Sequence, residues 1–170
     1  MAVIVARLAR RLLERCSALT TEIRQLDTEL ADLVEATASA LLEVHGCGVL
    51  TAAKIIGETA DVRRFRSKDA FARYSGTAPV PVWSSNHPRH RLSRVGNRQL
   101  NCAIHRVAIT QAHWQPQARA YLERRQAMGD TRKEALRALK RRLSDVIYRA
   151  LLADAGAVSD ASVPNSAAAA

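Results

Sequence analysis

The chain has 170 residues, of which 48% are apolar and only 4% aromatic. This length allows one domain with appendages, and the scarcity of aromatics favours helices with aliphatic cores over a β-sandwich or barrel. Three widely spaced cysteines without a CxxC pair disfavour both a disulfide framework and a zinc site, so we expect a reducing, cytoplasmic compartment. The chain shows neither a signal-peptide pattern nor an apolar run of membrane-spanning length.

Positive charge is concentrated in the C-terminal part of the chain, within a formal net charge of +10. Residues 1–62 carry 6 basic and 9 acidic side chains, whereas residues 63–153 carry 20 basic and 5 acidic ones. No acid occurs between Phe71 and Leu122, although this segment contains Arg73, Arg89, Arg91, Arg94, Arg98, Arg106 and Arg119. A solvated face normally mixes both signs, and a membrane surface would require one basic amphipathic helix. The pattern favours binding to nucleic acid and a nucleoid-associated location.

The first 40 residues are predicted to form a long helix with a narrow apolar seam. Small or apolar residues alternate by four and three along it, at Val5, Ala9, Leu12, Cys16, Leu19, Ile23, Leu26, Leu30, Leu33, Thr37 and Ala40. A heptad seam of this width needs a second helix to cover it, so we predict a coiled-coil arm over residues 1–43. The arm could pair with another copy, pack as an antiparallel arm, or fold back on its own domain.

A Gly-x-Gly turn at Gly46 and Gly48 separates two apolar runs. We expect both glycines to supply positive φ or close backbone approach, and the next helix to begin with amides that face an anion. The pattern resembles a helix-hairpin-helix element, which holds the DNA backbone without reading sequence, and Lys54 would contribute charge to it. A plain interhelical turn would use the same residues.

The next segment is predicted to form a short helix and then a loop. Ser67 is a plausible N-cap for a helix that ends at Gly76. Three prolines between residues 77 and 91 exclude a helix there and predict a loop or short hairpin.

Three further helices are predicted, over residues 98–109, 116–128 and 131–153, completing a helical domain over residues 44–153. The apolar face of the first comprises Leu100, Ala103, Ile104, Val107 and Ala108. In the third, the core stripe is Leu136, Leu139, Leu143, Val146, Ile147 and Leu151, and the surface is covered by Arg132, Lys133, Arg137, Lys140, Arg141 and Arg142. Residues 154–170 lack periodicity and are predicted to form a disordered tail.

The Pro-rich loop holds the candidate nucleophiles Ser84 and Ser85. A hydroxyl that attacks a phosphodiester needs nearby positive charge, which Arg73, Arg89, Arg91 and Arg94 could supply, although serines in such loops are commonly turn formers. A two-metal site would need several converging carboxylates, and the basic region offers none, so no metal is predicted in this chain. Whether His87 or His90 donates a proton to a leaving oxygen stays open.

Three blocks of the sequence resemble the C-terminal domain of the insertion-sequence 110/116/902 transposase family. They are residues 46–53 (GCGVLTAA), 64–79 (RFRSKDAFARYSGTAP) and 92–100 (LSRVGNRQL). The resemblance runs from the coiled coil to about Ala153 and implies a DNA-binding domain that acts in transposition and recombination.

The resemblance also implies a serine nucleophile, which falls on Ser85 with Ser84 as its neighbour. In the family this serine precedes a Gly-rich run, whereas here Asn86, His87 and Pro88 follow it. Family members carry an N-terminal RuvC-like domain that holds Mg²⁺, and they use a guide RNA. We expect both to be supplied elsewhere, which makes this chain a truncated transposase. The alternative is a non-catalytic DNA-binding and dimerisation remnant.

Overall fold

The computed structural model describes residues 2–82, 89–92 and 95–161, and this part of the chain is mainly helical, as predicted. Its helices are α1 (Ala2–Thr37), α2 (Ser39–Leu42), α3 (Val49–Thr59), α4 (Lys68–Tyr74), α5 (Arg98–Trp114), α6 (Pro116–Ala127) and α7 (Arg132–Ala161). Its strands, β1 (Pro79–Val82) and β2 (Arg89–Leu92), pair antiparallel with Pro79 opposite Leu92. The segment around residues 77–91, predicted to be either a loop or a short hairpin, therefore forms a hairpin where β1 and β2 pair.

α1 is a single helix that is exposed over most of its length. Every residue from Ala2 to Glu29 is exposed, and burial begins only at Leu30 and becomes complete at Val34. Only the last turns reach the core formed by the other helices, where they pack mainly against α3. The alternative in which the arm folds back on its own domain is therefore wrong, except for these last turns.

α2 is a single turn that is held by an acid from the other end of the chain. The carboxylate of Asp154 accepts hydrogen bonds from the amides of Ala40 and Leu41, at 2.8 and 3.2 Å. These amides lie in the first turn of α2, where helical amides lack the usual carbonyl four residues earlier, although the Leu41 amide also donates to the carbonyl of Ala38 at 3.2 Å. Asp154 thus joins α7 to the chain just before the glycine turn.

α4 begins and ends where the sequence predicts. The hydroxyl of Ser67 accepts a hydrogen bond from the amide of Ala70 at 3.3 Å, so Ser67 is the N-cap. Gly76, with φ of +66°, reverses the chain after the helix because its backbone adopts a left-handed conformation. The prediction of this helix and of its two boundaries is confirmed.

α5 lies at the centre of the core and packs against α3, α6 and α7. All five residues of its predicted apolar face are at most 1% exposed. In the same core, the ring of Phe71 on α4 contacts the ring of Tyr148 on α7, with 5.6 Å between centroids. Burial of this face stabilises the domain by removing apolar surface from water.

α7 departs from the prediction in two respects. It continues to Ala161, eight residues beyond the predicted end at Ala153, because alanine-rich sequence is helix-forming and Asp154 anchors it. The predicted tail from residue 154 is therefore wrong for its first part, and residues 162–170 lie outside the described residues. Lys140, assigned to the exposed basic cover, is instead 7% exposed.

Candidate nucleic-acid interface

The hairpin is fixed at its base between the end of α4 and the start of α5. The amide of Asn97 donates to the carbonyl of Tyr74 at 2.7 Å. Gly96 has φ of +132°, and a Cβ there would lie 2.8 Å from the carbonyl oxygen of Tyr74 and 2.9 Å from the amide nitrogen of Gly76. A side chain would separate the two ends of the hairpin, so Gly96 is required for this approach.

Asn97 organises this junction through its side chain. Its Oδ1 accepts from the amides of Gln99 and Leu100, both at 2.9 Å, which caps α5. Its Nδ2 donates to the carboxylate of Glu58 at 2.6 Å and lies 3.3 Å from the hydroxyl of Tyr74. The hydrogen bond from Asn97 lowers the pKa of Tyr74, and Arg64 contributes in the same direction. One side chain thus joins the ends of α3, α4 and α5.

Three of the predicted DNA-binding residues lie around this junction. Lys54 on α3 donates through Nζ to the Oε1 of Gln99 in the first turn of α5, at 2.5 Å. Arg73 and Arg98 are exposed and lie next in sequence to Tyr74 and Asn97, the residues whose backbones are bonded together. We call Lys54, Arg73 and Arg98 the junction cations.

The structure describes only some of the other predicted site residues, which belong to the Pro-rich segment and its C-terminal flank. Arg89 and Arg91 lie on β2, with their backbones paired to Val82 and Val80. Arg94 lies outside the described residues, and so do the candidate nucleophiles Ser84 and Ser85, in the segment that connects β1 and β2.

The glycine turn lies away from the hairpin base. Gly46 has φ of +83°, and a Cβ there would meet the Cβ of Thr110 at 2.9 Å. Thr110 is twelve residues along α5 from Arg98, which corresponds to about 18 Å of helix. The turn and the junction cations therefore belong to opposite ends of α5.

Gly48 differs from its neighbour and corrects the prediction for the pair. Its φ is −77° and no atom lies within 4 Å of its Cβ position, so neither positive φ nor close approach requires glycine there. Gly48 is the N-cap of α3 and supplies no side-chain hydrogen bond. Gly48 thus precedes α3, the helix whose first amides are expected to face an anion.

Lys140 is buried, although the sequence pattern predicted that it would lie on the surface of α7. Its Nζ donates to the Oδ1 of Asn101 at 2.7 Å, and the Nδ2 of Asn101 donates to the carbonyl of Ser75 at 2.8 Å. Burial lowers the pKa of Lys140 to about 8, and the neighbouring charge of Arg98 adds to this effect. Burial, followed by the charge of Lys140, also lowers the pKa of His105. This chain of contacts links α7 to the base of the hairpin.

A second basic surface, which sequence analysis did not identify, lies between α5, α6 and α7. It is a groove of about 840 Å³ whose floor includes Leu139, Leu143 and Val146. Three exposed arginines line it, Arg124, Arg142 and Arg149. We call these side chains, together with Tyr121, the arginine groove.

Tyr121 holds two of these arginines in place. The guanidinium of Arg142 lies 4.8 Å from the centre of its ring, and that of Arg124 lies 5.8 Å away. Such cation–π contacts fix guanidinium groups while leaving their N–H donors available for phosphate oxygens. The spacings of three between Tyr121 and Arg124, and of seven between Arg142 and Arg149, place each pair on one helix face. These spacings are the signals that could have revealed the groove.

The described residues do not fit a metal ion. Over residues 2–82, 89–92 and 95–161, no group of three His, Cys, Asp or Glu side chains could hold one. Of the three cysteines, Cys47 is buried, and burial raises the pKa of its thiol to about 11. None of the helices in this part of the chain combines the length and apolar character needed to cross a bilayer.

The comparisons with known proteins identify the family. The chain matches the transposase IS116/IS110/IS902 family over residues 38–123, which extend from α2 into α6. It is 35% identical over 130 residues to an uncharacterized 43.6 kDa protein of insertion element IS110 from Streptomyces coelicolor, covering 69% of this chain and 32% of that protein. It is 30% identical over 154 residues to an uncharacterized 42 kDa protein of insertion element IS900 from Mycobacterium paratuberculosis, covering 88% and 38%.

The chain therefore belongs to the IS116/IS110/IS902 transposase family. It spans about a third of the length of these two curated relatives.

Proposed function

We propose that this chain binds DNA as the C-terminal part of an insertion-sequence transposase and supplies the nucleophile Ser85, with Ser84 as its neighbour, for strand cleavage and exchange. The observation that carries the proposal is the junction of α3, α4 and α5. The two strands that flank the serines in sequence, β1 and β2, follow α4 and precede α5 at this junction, and the exposed residues Arg73 and Arg98 lie on either side of it. Membership of the transposase family supports the same role.

In the proposed reaction, the Oγ of Ser85 attacks a backbone phosphorus of DNA. The hydroxyl loses its proton as an Oγ–P bond forms, a P–O bond to deoxyribose breaks, and the leaving oxygen takes up a proton, so that no proton is gained or lost overall. Arg73 and Arg98, at the base of the hairpin, would bind other phosphates of the same DNA and hold its backbone beside the hairpin. Binding of Mg²⁺ is left to a RuvC-like domain supplied elsewhere, since the described residues of this chain do not fit a metal.

Substitution of each serine tests the nucleophile. The assay combines the full chain with a RuvC-like domain of the family and a DNA substrate, and it measures covalent protein–DNA adducts and recombined product. We expect Ser85→Ala to abolish adducts and Ser84→Ala to retain them. Adducts that persist in both variants would show that neither serine is the nucleophile.

A salt titration tests DNA binding independently of chemistry. Proteins that neutralise phosphates lose affinity in proportion to the counterions released, with a log–log slope of about −0.9 per phosphate contact. We expect a steep slope for wild type and for Ser85→Ala. Affinity that hardly changes with salt would exclude DNA-phosphate binding. The same titration with RNA tests the guide RNA that the family resemblance makes a candidate partner.

The second candidate is a non-catalytic remnant that binds DNA and self-associates through α1. It is favoured by the long exposed arm, whose apolar seam is available to another copy of the chain. The two candidates differ in the serine experiment. The affinity of a remnant for DNA would also fall steeply as salt increases, but a remnant would give no adducts even in wild type. Self-association through α1 is proposed in both.

A further inference from the structure

The apolar seam of α1 is uncovered. Leu12 is 64% exposed, Ile23 and Leu26 are each 57% exposed, and the seam continues through Val5 and Leu19. Monomeric proteins seldom leave a continuous apolar stripe of this length in water. In heptad positions, Ala9, Cys16, Ile23 and Leu30 occupy a, and Val5, Leu12, Leu19 and Leu26 occupy d.

The charges of α1 change sign at its middle. Residues 2–17 carry a net charge of +3 and residues 18–37 a net charge of −4. The basic half contains Arg7, Arg10, Arg11, Arg15 and a single acid, Glu14. The acidic half contains Glu22, Asp27, Glu29, Asp32, Glu35 and a single base, Arg24. A second copy with the opposite direction would place unlike halves side by side.

We propose that α1 binds α1 of a second copy of this chain in antiparallel orientation, centred between Cys16 and Leu19. In this register Cys16 faces Leu19 of the second copy, Ile23 faces Leu12, and Ala9 faces Leu26. The inference rests on the proposed self-association through α1 and adds its direction and register.

The flanking positions favour this direction. Arg15 and Glu22 both occupy g positions, and antiparallel helices bring g beside g, so each Arg15 lies beside Glu22 of the other copy. Parallel pairing brings g beside the e position five residues later. Glu22 would then meet Asp27 twice, with the two acidic halves side by side, so the parallel arrangement is opposed by charge.

The body of the domain is compatible with this register. Pairing uses residues up to Leu30, and the residues from Ala2 to Glu29 are all exposed. Val34, which is 3% exposed, lies beyond the paired segment and keeps its contacts with the core. The pairs from Ala9 to Leu26 therefore use only exposed residues, and Leu30, which is half-buried against the core, lies at the limit of the paired segment.

Cysteine cross-linking in the full chain tests direction and register. The background variant Cys16→Ala/Cys102→Ser leaves Cys47, which is buried. Ala9→Cys and Leu26→Cys are then added singly and together. Because Ala9 faces Leu26 only in the proposed register, we expect the double variant to form a disulfide-linked dimer on mild oxidation. Each single variant is expected to stay uncross-linked.

Cross-linking in the single variants would overturn the proposal in favour of parallel pairing, because each cysteine would then face its own copy. A chain that stays monomeric by sedimentation at every concentration would overturn self-association itself. Neither result bears on DNA binding, which the salt titration measures separately.

Charge reversal provides a second test without cysteines. Glu22→Arg places two arginines together in the antiparallel pair, so we expect the dimer to dissociate about tenfold more readily. The swap Arg15→Glu/Glu22→Arg should restore association. In a parallel dimer, Glu22→Arg would instead strengthen association, because residue 22 would lie beside Asp27.

Discussion

Gly46 and Gly48 look equivalent in sequence but have different roles in the fold. Only Gly46 combines positive φ with a Cβ position that is already occupied, by Thr110. We expect Gly46→Ala to lower the free energy of unfolding by about 1–3 kcal/mol. Gly48→Ala, the matched control, should change it by less than about 0.5 kcal/mol. Urea unfolding measures both, and equal effects would contradict the difference assigned to the two glycines.

Lys140 predicts a characteristic dependence of stability on pH. Its pKa falls from 10.5 in the unfolded chain to about 8 in the fold, so between these values the unfolded state binds more protons. The free energy of unfolding should therefore rise as pH increases from 8 to 10.5, by up to about 3 kcal/mol. Below pH 8 this penalty of burying the charged amine is fully present.

The measurement compares wild type with Lys140→Met in urea at several pH values. Groups common to both proteins cancel in the difference, so the rise should be missing from the variant. Should both proteins rise equally, Lys140 is not the group responsible.

At the scale of elements, Asp154 connects the late part of α7 to α2. Both of its carboxylate oxygens accept backbone amides at the start of α2, and the side chain is buried. Asp154→Ala would remove the acceptor of the Ala40 amide and leave the Leu41 amide with the carbonyl of Ala38 alone, so we expect a loss of about 1–3 kcal/mol in unfolding free energy.

Asp27→Ala is the control for this substitution, because Asp27 is exposed on α1 and lies outside the core. It should leave the unfolding of the domain within about 0.5 kcal/mol of wild type. An unchanged midpoint for Asp154→Ala in chemical denaturation would show that α2 does not depend on α7.

For the whole molecule, the notable feature is the presence of two basic surfaces at opposite ends of α5. The junction cations lie at its N-terminal end, whereas Gln111 and Gln115 line the arginine groove at its C-terminal end. About 20 Å of helix separates Arg98 from Gln111. A nucleic acid that contacts both surfaces would have to span this distance.

We expect Arg73→Gln/Arg98→Gln to reduce the salt slope of DNA binding by about 2, and Arg124→Gln/Arg142→Gln to reduce it by a similar amount. Arg7→Gln/Arg10→Gln on the arm is the matched control and should leave the slope unchanged. A groove variant with the wild-type slope would restrict DNA contact to the junction. Circular dichroism checks that each variant keeps its helices.

Local signals were sufficient to predict most elements. Ser67 and Gly76 mark the ends of α4 because capping and left-handed turns depend on neighbouring residues alone. The five apolar positions of α5 predicted its buried face because they follow the helical period. The distribution of charge along the chain predicted a basic C-terminal part, and the three sequence blocks indicated the family that the comparisons confirmed.

Only the tertiary structure decided which charged residues are buried, and which distant residues meet. Lys140 follows the pattern of a surface residue, yet packing of α7 against α5 removes it from water and gives it Asn101 as partner. The arginine groove and the contact of Asp154 with α2 bring together residues far apart in sequence. Such long-range contacts cannot be predicted from the local preferences of the residues. By contrast, α1 makes few tertiary contacts, and the heptads and the change of charge on which its proposed pairing rests are visible in the sequence itself.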